Sequence, residues 1–473
     1  MLRLHRYPVL LTAIASYLYL AGSAPFLGQW DSYDYLKQIV TNRFSDLGFG
    51  RPVYLGCSIL LWESMKRIFH LEPLQVEVVA MTATIVCGAA GVLIFERLSR
   101  EYLSPAAGRM AALALAISPM YAVYSGYIMT EVPMLVVLMA SALVLVKQNG
   151  RRPALSDIFG GILFGAAIGI REQALTMAPA LLWVILSRNR NQGTRLRSFV
   201  LFGSAAGMAV LLPMAALFLA QPAIFTARIA TWLRALPTGS LQFWNNVQAS
   251  FLFTIAVCPA SWLAAAAAGA FYLFGRRQGR NPETPICNPV LGILCWIVFP
   301  IAALWRDADV QIHPRYLLLA LPGSLILCAS MYSRLVRSAK APAVWAILHV
   351  LVFGGALVAI YPFRQVQNQK MEFAGVVRDR IPGEGLIIAG GYSPILDYYR
   401  GIGLRPQWRI LWSGWTWNAR EADDMVREAW LEGIPIYLIE NHLAWRYFES
   451  EYLHYYLRYL RGRTSVIKIV PIR

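Results

Sequence analysis

Charged side chains are scarce in this sequence, and most of those present are basic. Asp, Glu, Lys and Arg together occupy 15% of the 473 positions, whereas hydrophobic residues occupy 57%. A soluble globular chain has about a quarter charged residues and about half apolar ones. The shortage of charge excludes a single soluble core and indicates a protein that lies largely in a membrane.

Cysteine and histidine are also few, with six of each. The cysteines form no C-x-x-C pair and lie mostly inside apolar runs, at Cys57, Cys87, Cys258, Cys287, Cys295 and Cys328. This spacing is typical of cysteines that pack as small hydrophobic side chains. His313 has no second histidine near it in the sequence, so a divalent metal is compatible with the chain but unsupported, and none is predicted to be required.

Nucleotide-binding motifs and internal repeats are absent from the sequence. There is no phosphate loop and no G-x-G-x-x-G fingerprint, and the pair Gly390-Gly391 does not form one. Work driven by ATP is therefore not indicated, and the missing repeat argues against the two related halves of many transporters.

Long apolar runs dominate what is present, from Tyr7 to Tyr361. About 20 helical residues cross the ~30 Å of hydrocarbon in a bilayer. The predicted fold is an α-helical polytopic membrane protein with about eleven transmembrane helices. The predicted spans are residues 7–27, 76–95, 110–128, 131–147, 158–170, 173–187, 198–220, 249–274, 287–305, 316–332 and 342–361. The short pair at 158–170 and 173–187 is expected to form half-crossing helices or one bent hairpin.

Basic residues gather in every second connection between these spans. The positive-inside rule therefore places those loops and the N-terminus on the cytoplasmic side of a plasma (inner) membrane. This arrangement explains the net charge of +17 without invoking nucleic acid. The exterior connections are then 28–75, 129–130, 171–172, 221–248 and 306–315, together with the tail after Tyr361.

The tail alternates like a water-soluble α/β unit. We therefore expect a membrane part over residues 1–361, with the exterior loop 28–75, and a small exterior α/β domain over 362–473. Strands are predicted at 385–390, 434–439 and 465–469. Four crowded tryptophans are typical of a headgroup belt or core packing, or of stacking on sugar rings: Trp408, Trp412, Trp415 and Trp417.

Two carboxylates follow the first span directly, at Asp31 and Asp34. A sugar hydroxyl that attacks an anomeric carbon must lose a proton, and a positioned carboxylate is the usual base. Either acid could serve. The alternative is structural: Asp31 caps a helix running through Tyr35 to Val40, with Asp34 near its start.

Three further charged residues lie at predicted exterior span ends. Glu131 is costly so close to hydrocarbon unless it has a partner or a task, although the N-terminus of a helix would also stabilise it. Arg171 and Arg315 carry the guanidinium group that matches phosphate oxygens. Their structural alternatives are a surface contact between Arg171 and Glu172, and an Arg315 that snorkels to the interface.

The order of these features resembles the GT-C superfamily of multi-spanning glycosyltransferases, in particular the branch of protein O-mannosyltransferases and aminoarabinose transferases. That branch has an acidic motif after its first span, in which the first Asp is taken as catalytic. Asp31 matches that Asp, Ser32 replaces the usual Glu, and Tyr35 matches the Tyr. The segment Gly50-Arg51-Pro52-Val53-Tyr54 is similar to the loop helix that follows, with Arg51 where relatives often carry an acid that, in some, helps to bind a metal.

The resemblance extends to the later charged residues. Glu131 and Pro133 match the second exterior acid and its proline, and Arg171 falls where relatives have a basic residue. The segment His313-Pro314-Arg315-Tyr316-Leu317 is similar to the His-x-x-x-Arg-Phe motif of mannosyltransferases. The resemblance implies an inverting transferase in which Asp31 is the base and Glu131 orients the acceptor or the sugar. It further implies that the donor phosphate is bound by Arg171, Arg315 and His313. Tyr35 and Arg51 would support the acceptor or the loop.

The implied donor is a polyprenyl-phosphate-linked sugar, and the implied acceptor is a glycan, glycolipid or protein. Sidedness supports a lipid carrier, because nucleotide sugars are cytoplasmic whereas the acids are predicted to be exterior. A transporter or flippase of lipid-linked sugars is the main alternative, and it would place ionisable residues deep in the spans. A scaffold whose tail binds carbohydrate is the third interpretation, and it leaves Asp31 and Glu131 without a task.

Overall fold

In a computed structural model, the chain folds into two compact units. The first comprises Met1–Ala24, Phe44–Leu60 and Ala80–Tyr361, and the second comprises Pro25–Arg43, Leu61–Val79 and Pro362–Arg473. The residues that the structure describes are 11–20, 30–44, 51–147, 153–188, 192–222, 225–226, 258–275, 289–303, 314–336, 340–388, 393–411, 419–440 and 465–468.

Helices make up the described chain as far as Arg380. They are α1 (Leu11–Leu20), α2 (Trp30–Thr41), α3 (Pro52–Phe69), α4 (Val76–Tyr102), α5 (Pro105–Ala116), α6 (Pro119–Ser125), α7 (Glu131–Val146), α8 (Pro153–Ile170), α9 (Ala178–Arg188), α10 (Gln192–Ala220), α11 (Pro259–Gly275), α12 (Pro289–Ala303), α13 (Leu321–Leu335) and α14 (Ala341–Arg380). Short 3-10 helices lie at Pro73–Gln75, Glu172–Met177 and Pro314–Ala320. Many of these elements begin at a proline, whose fixed φ suits the first helical position and whose missing N–H would have no partner there.

Several helices are long and apolar enough to cross a bilayer. Within the described residues there are four, and a fifth if α5 and α6, bent by 59°, form one crossing: Pro73–Tyr102, Pro153–Ile170, Gly193–Ala220 and Ala341–Val358. Every predicted span overlaps a helix, which confirms the largely helical membrane architecture in outline. The count of eleven spans stays a prediction.

The break between α8 and α9 differs from the half-crossing pair expected there. The helix α8 begins at Pro153 and runs for 18 residues, which is long enough to cross. After Arg171 the chain continues as the 3-10 helix Glu172–Met177 and then as α9. The interruption is therefore local, and it lies at Arg171, whose backbone is extended.

Glycines allow α8 to pack directly on α10. A Cβ atom at Gly161 would lie 2.3 Å from the carbonyl oxygen of Phe202, and one at Gly165 would lie 2.3 Å from that of Ala206. The rings of Phe164 and Phe202 stack beside them, with centroids 5.5 Å apart. Spacing of small residues by four is how helices in lipid bring their backbones together.

The second unit contains a parallel sheet of four strands in the order β2-β1-β3-β4. The strands are β1 (Gly385–Ile388), β2 (Trp408–Leu411), β3 (Ile436–Glu440) and β4 (Ser465–Lys468). The sequence predicted three of them, and it missed β2 because its tryptophan was grouped with the aromatic cluster that follows. Trp408 is buried and its indole N–H donates to the carbonyl oxygen of Ile381 at 3.1 Å, so it packs in the core. The other three tryptophans of that cluster lie outside the described residues.

Helices α15 (Ser393–Gly401) and α16 (Ala419–Leu431) accompany the sheet. Apolar side chains of α16 and three strands form a common core: Leu386, Ile388, Leu411, Val426, Ala429 and Ile436. The helix α2, which is distant in sequence, belongs to this unit and packs on α15. Part of the predicted loop 28–75 is thus a helix that folds together with the tail.

We predict that Gly165→Ala lowers the thermal stability of the purified protein. The new methyl group would overlap the Ala206 carbonyl oxygen and force the two helices apart, at a cost of about 1–3 kcal/mol. Gly207→Ala on α10 is the matched control, because nothing lies within 4 Å of a Cβ there. The melting temperature in detergent tests the difference. Equal melting temperatures for the two variants would contradict the proposed backbone contact.

Candidate functional site

Three charged side chains of the first unit meet at the ends of separate elements. Glu131 is the first residue of α7, Arg171 occupies the break after α8, and Arg315 lies in the 3-10 helix before α13. Arg171 has an extended backbone, with φ −159° and ψ 127°, because it ends one helix before the next turn starts. Helix ends leave backbone groups without helical partners, so polar side chains are least costly there.

The Glu131 carboxylate is the centre of this cluster. Its Oε1 lies 2.7 Å from Nη1 of Arg171 and 3.2 Å from Nε of Arg315. Arg171 also donates from Nη1 to Oγ1 of Thr130 at 2.9 Å and from Nε to Oε1 of Gln173 at 2.9 Å. These bonds fix the plane of the Arg171 guanidinium.

A third guanidinium adds to the positive charge of the cluster. Arg51 precedes α3, is buried, and lies close enough to act electrostatically on Glu131 and on Tyr54. Its φ of +47° is in the left-handed region, which is costly for a residue with a side chain and is often found at functional sites. We refer to Arg51, Glu131, Arg171 and Arg315 as the arginine cluster.

The arginine cluster is buried and mostly basic. Its four members are between 0% and 7% exposed. It contains three guanidinium groups and one carboxylate, and guanidinium groups match the oxygens of an anion such as a phosphate. Oε2 of Glu131 accepts no hydrogen bond from the residues that the structure describes.

The acids predicted after the first span lie in the second unit. Asp31 and Asp34 are both on α2, where Asp31 is buried, and the ring of Tyr35 is fully buried. The Asp34 carboxylate accepts a hydrogen bond of 2.5 Å from Nε2 of Gln38 and lies 3.5 Å from Nζ of Lys37. The prediction that Asp31 caps the helix is wrong, because the helix begins at Trp30 and includes Asp31 in its first turn.

Two other structural alternatives are also wrong. Arg171 is buried against Glu131 and does not form the surface contact with Glu172. Arg315 does not snorkel, because its guanidinium is buried beside the same carboxylate. His313 lies outside the described residues. The sequence did not indicate that Thr130 and Gln173 are hydrogen-bond partners of Arg171, although both lie within two residues of Glu131 or Arg171.

Metal-ligating side chains do not gather in the part of the chain that the structure describes. No group of three or more His, Cys, Asp or Glu residues there could hold a metal ion. The cysteines among those residues are all free.

A comparison with protein families found a match over the part of the chain that contains Glu131 and Arg171. Residues 65–217 match the model of the family described as dolichyl-phosphate-mannose-protein mannosyltransferase. No protein in a curated collection matches the chain significantly.

Solved structures of similar fold cover almost the whole chain. ArnT from Cupriavidus metallidurans bound to undecaprenyl phosphate matches with a TM-score of 0.59 at 14% identity, over 90% of this chain and 89% of that one. The apo form of that protein matches with a TM-score of 0.56 at 13% identity, over 97% of this chain and 88% of that one. The apo oligosaccharyltransferase of Archaeoglobus fulgidus matches with a TM-score of 0.46 at 13% identity, over 86% of this chain and 64% of that one.

We predict that Glu131→Gln destabilises the protein strongly. The change keeps the shape of the side chain but leaves the surrounding arginines without their counter-charge, and breaking a buried pair costs about 3–5 kcal/mol. Glu432→Gln is the matched control, since Glu432 is half exposed and lies 2.5 Å from Nη2 of Arg409. Loss of an exposed pair costs less than about 1 kcal/mol. Melting temperatures that fall equally in both variants would refute the buried pairing.

Proposed function

We propose that this chain is a membrane glycosyltransferase that transfers a sugar from a polyprenyl-phosphate carrier to an acceptor hydroxyl. Its similarity in fold to ArnT, a GT-C glycosyltransferase, and the match of residues 65–217 to the mannosyltransferase family support this proposal. The acceptor oxygen bonds to the anomeric carbon, and the bond from that carbon to the phosphate oxygen breaks. The phosphate leaves with the electron pair, and a carboxylate takes the proton of the hydroxyl. Attack opposite to the leaving group inverts the anomeric configuration.

The arginine cluster is the observation that carries this proposal. A lipid-linked sugar phosphate brings one negative charge, and its phosphate gains more as the glycosidic bond breaks. Guanidinium groups held in place beforehand stabilise that charge without having to reorganise during the reaction. Arg171 meets this condition best, because Glu131, Thr130 and Gln173 together fix its orientation.

Asp31 is the base in this proposal, because the family resemblance assigns the proton transfer to its position. Asp34 contacts Lys37 and Gln38 of its own helix, and its proposed role is structural. The role of Glu131 is then to orient Arg171 and Arg315, and we expect no metal to be required when arginines neutralise the phosphate.

The lipid carrier is part of the proposal as well. The similar ArnT structure contains undecaprenyl phosphate, and the family model is named for dolichyl-phosphate mannose. Both are polyprenyl phosphates, and the apolar helices of this chain offer a surface for such tails. We place the reaction on the exterior face of an inner membrane, with the N-terminus in the cytoplasm, as the distribution of basic loops indicates.

We predict that Asp31→Asn abolishes most sugar transfer while leaving donor binding intact. Asparagine keeps the size of the side chain but cannot take the proton, and loss of a general base costs about 10²–10⁴-fold in kcat. Radiolabelled transfer from a panel of polyprenyl-phosphate sugars to a membrane extract measures the rate. Asp34→Asn is the companion variant, and we expect it to retain more activity than Asp31→Asn at equal folded yield.

Two outcomes would contradict this assignment. Full activity of Asp31→Asn would exclude Asp31 as the base, and a greater loss in Asp34→Asn would transfer the role to Asp34. If the wild type transfers no sugar from any donor but moves lipid-linked sugar across liposomes, the chain is a flippase.

We predict that Arg171→Lys and Arg315→Lys each weaken binding of undecaprenyl phosphate by about 10- to 100-fold, since one charge-assisted hydrogen bond contributes about 1.5–3 kcal/mol. Lysine keeps the charge but lacks the fork of donors that matches phosphate oxygens. Native mass spectrometry or microscale thermophoresis of the purified protein gives the dissociation constant. Arg409→Lys in the second unit is the control, because its partner is the exposed Glu432. Unchanged affinity in both cluster variants would show that the phosphate binds elsewhere.

A further inference from the structure

A partly buried ionic contact ties the helix that bears Asp31 to a helix of the tail. Nζ of Lys37, on α2, lies 2.6 Å from Oδ2 of Asp397, on α15. The Asp397 side chain is 3% exposed, and its Oδ1 also lies 2.6 Å from Nη2 of Arg400. Residues 37 and 397 are 360 positions apart, so this contact is purely tertiary.

The charge of Lys37 is held in place by two carboxylates. Burial alone would lower the pKa of Lys37, but the carboxylates of Asp397 and Asp34 outweigh it and raise the pKa above its usual value. Lys37 is therefore charged throughout the range in which enzymes usually work. It links Asp34 of its own helix to Asp397 of the other.

Packing around the ion pair leaves the two helices little freedom to slide. A Cβ atom at Gly401, at the end of α15, would lie 2.5 Å from Cγ of Lys37, so the lysine stem lies against the backbone of α15. The rings of Tyr33 and Tyr398 meet beside it with centroids 6.1 Å apart. Two contacts at different heights along α2 fix its axial position and its rotation.

We propose that Lys37 is a positioning residue that, through Asp397, holds the first turn of α2 and with it Asp31. This inference rests on the proposed function, in which Asp31 is the base. An α-helix is rigid over the three turns of α2, and Asp31, Asp34 and Lys37 follow one another at intervals of three residues. A shift at Lys37 is consequently transmitted to the carboxylate of Asp31.

The test compares two cations that bind the same carboxylate. Lys37→Met keeps the stem against Gly401 and removes the charge that joins the two helices. Arg400→Met removes the other cation from Asp397, but Arg400 lies on α15 itself, so the link between α2 and α15 remains. We expect Lys37→Met to lower kcat by about 100-fold, as a misplacement of about 1 Å does. We expect Arg400→Met to stay within about twofold of the wild type, because Arg400 is 43% exposed and its pair with Asp397 lies within α15.

Further readouts separate positioning from folding. Lys37→Met should leave the KM for the donor and the affinity for undecaprenyl phosphate unchanged, and Lys37→Arg should restore most of kcat. Amide hydrogen exchange should rise in α2 of Lys37→Met and remain unchanged in the sheet. Asp397→Asn should behave like Lys37→Met, and the double variant should be no worse than either single one, because both remove the same contact.

Each remaining outcome refutes the inference, and they differ in what they mean for the proposed function. Normal kcat in Lys37→Met beside an inactive Asp31→Asn would end the positioning role alone. Parallel losses of kcat, donor affinity and melting temperature would make Lys37 a plain structural residue. An active Asp31→Asn would remove the base itself and the inference with it. If Lys37→Met does not fold, Asp397→Asn is judged by the same criteria.

Discussion

The pairing of Glu131 with Arg171 and Arg315 is the constraint on which the membrane part depends. These residues are far apart in the sequence, and a carboxylate cannot be buried among apolar helices unless its partners arrive together. Each of the three residues lies at a helix end. The start of α7, the end of α8 and the 3-10 helix before α13 therefore have to lie close together. The glycines of α8 serve this purpose, since they let α8 pack closely on α10, and Ser141 of α7 donates to the Gly160 carbonyl oxygen at 2.8 Å.

Stability alone does not account for such a cluster. Replacing a buried ionic set with apolar residues of similar volume often leaves stability equal or improves it. A chain with this much hydrophobic sequence had many apolar alternatives, and the cluster instead holds three guanidinium groups near one carboxylate. The energetic cost is understandable if these guanidinium groups also bind an anionic ligand during function.

The sequence predicted the charged residues of the site better than their geometry. Each span predicted from hydropathy overlaps a described helix, but α3 lies in the predicted exterior loop 28–75. The cost of charge near hydrocarbon singled out Glu131, and the match of guanidinium to phosphate singled out Arg171 and Arg315. Hydrogen-bond partners such as Thr130 and Gln173 could not be predicted, because they depend on how α8 ends and on the extended backbone of Arg171. The missed strand β2 has the same origin: Trp408 looks like an interfacial aromatic in the sequence, and only the sheet shows that it is a core residue.

Lys37 is the clearest example of a residue whose tertiary contact the sequence does not reveal. In the sequence it is one lysine on an amphipathic helix, and its spacing from Asp34 suggests no more than a local ion pair. Its decisive partner, Asp397, comes from the far end of the chain, and the second unit is assembled from Pro25–Arg43, Leu61–Val79 and the tail. The tail therefore cannot be regarded as an independent addition to a membrane enzyme. A substitution at the α2 contact on α15 acts on the helix of the proposed base, so α2 and the tail must change together if that base is to keep its place.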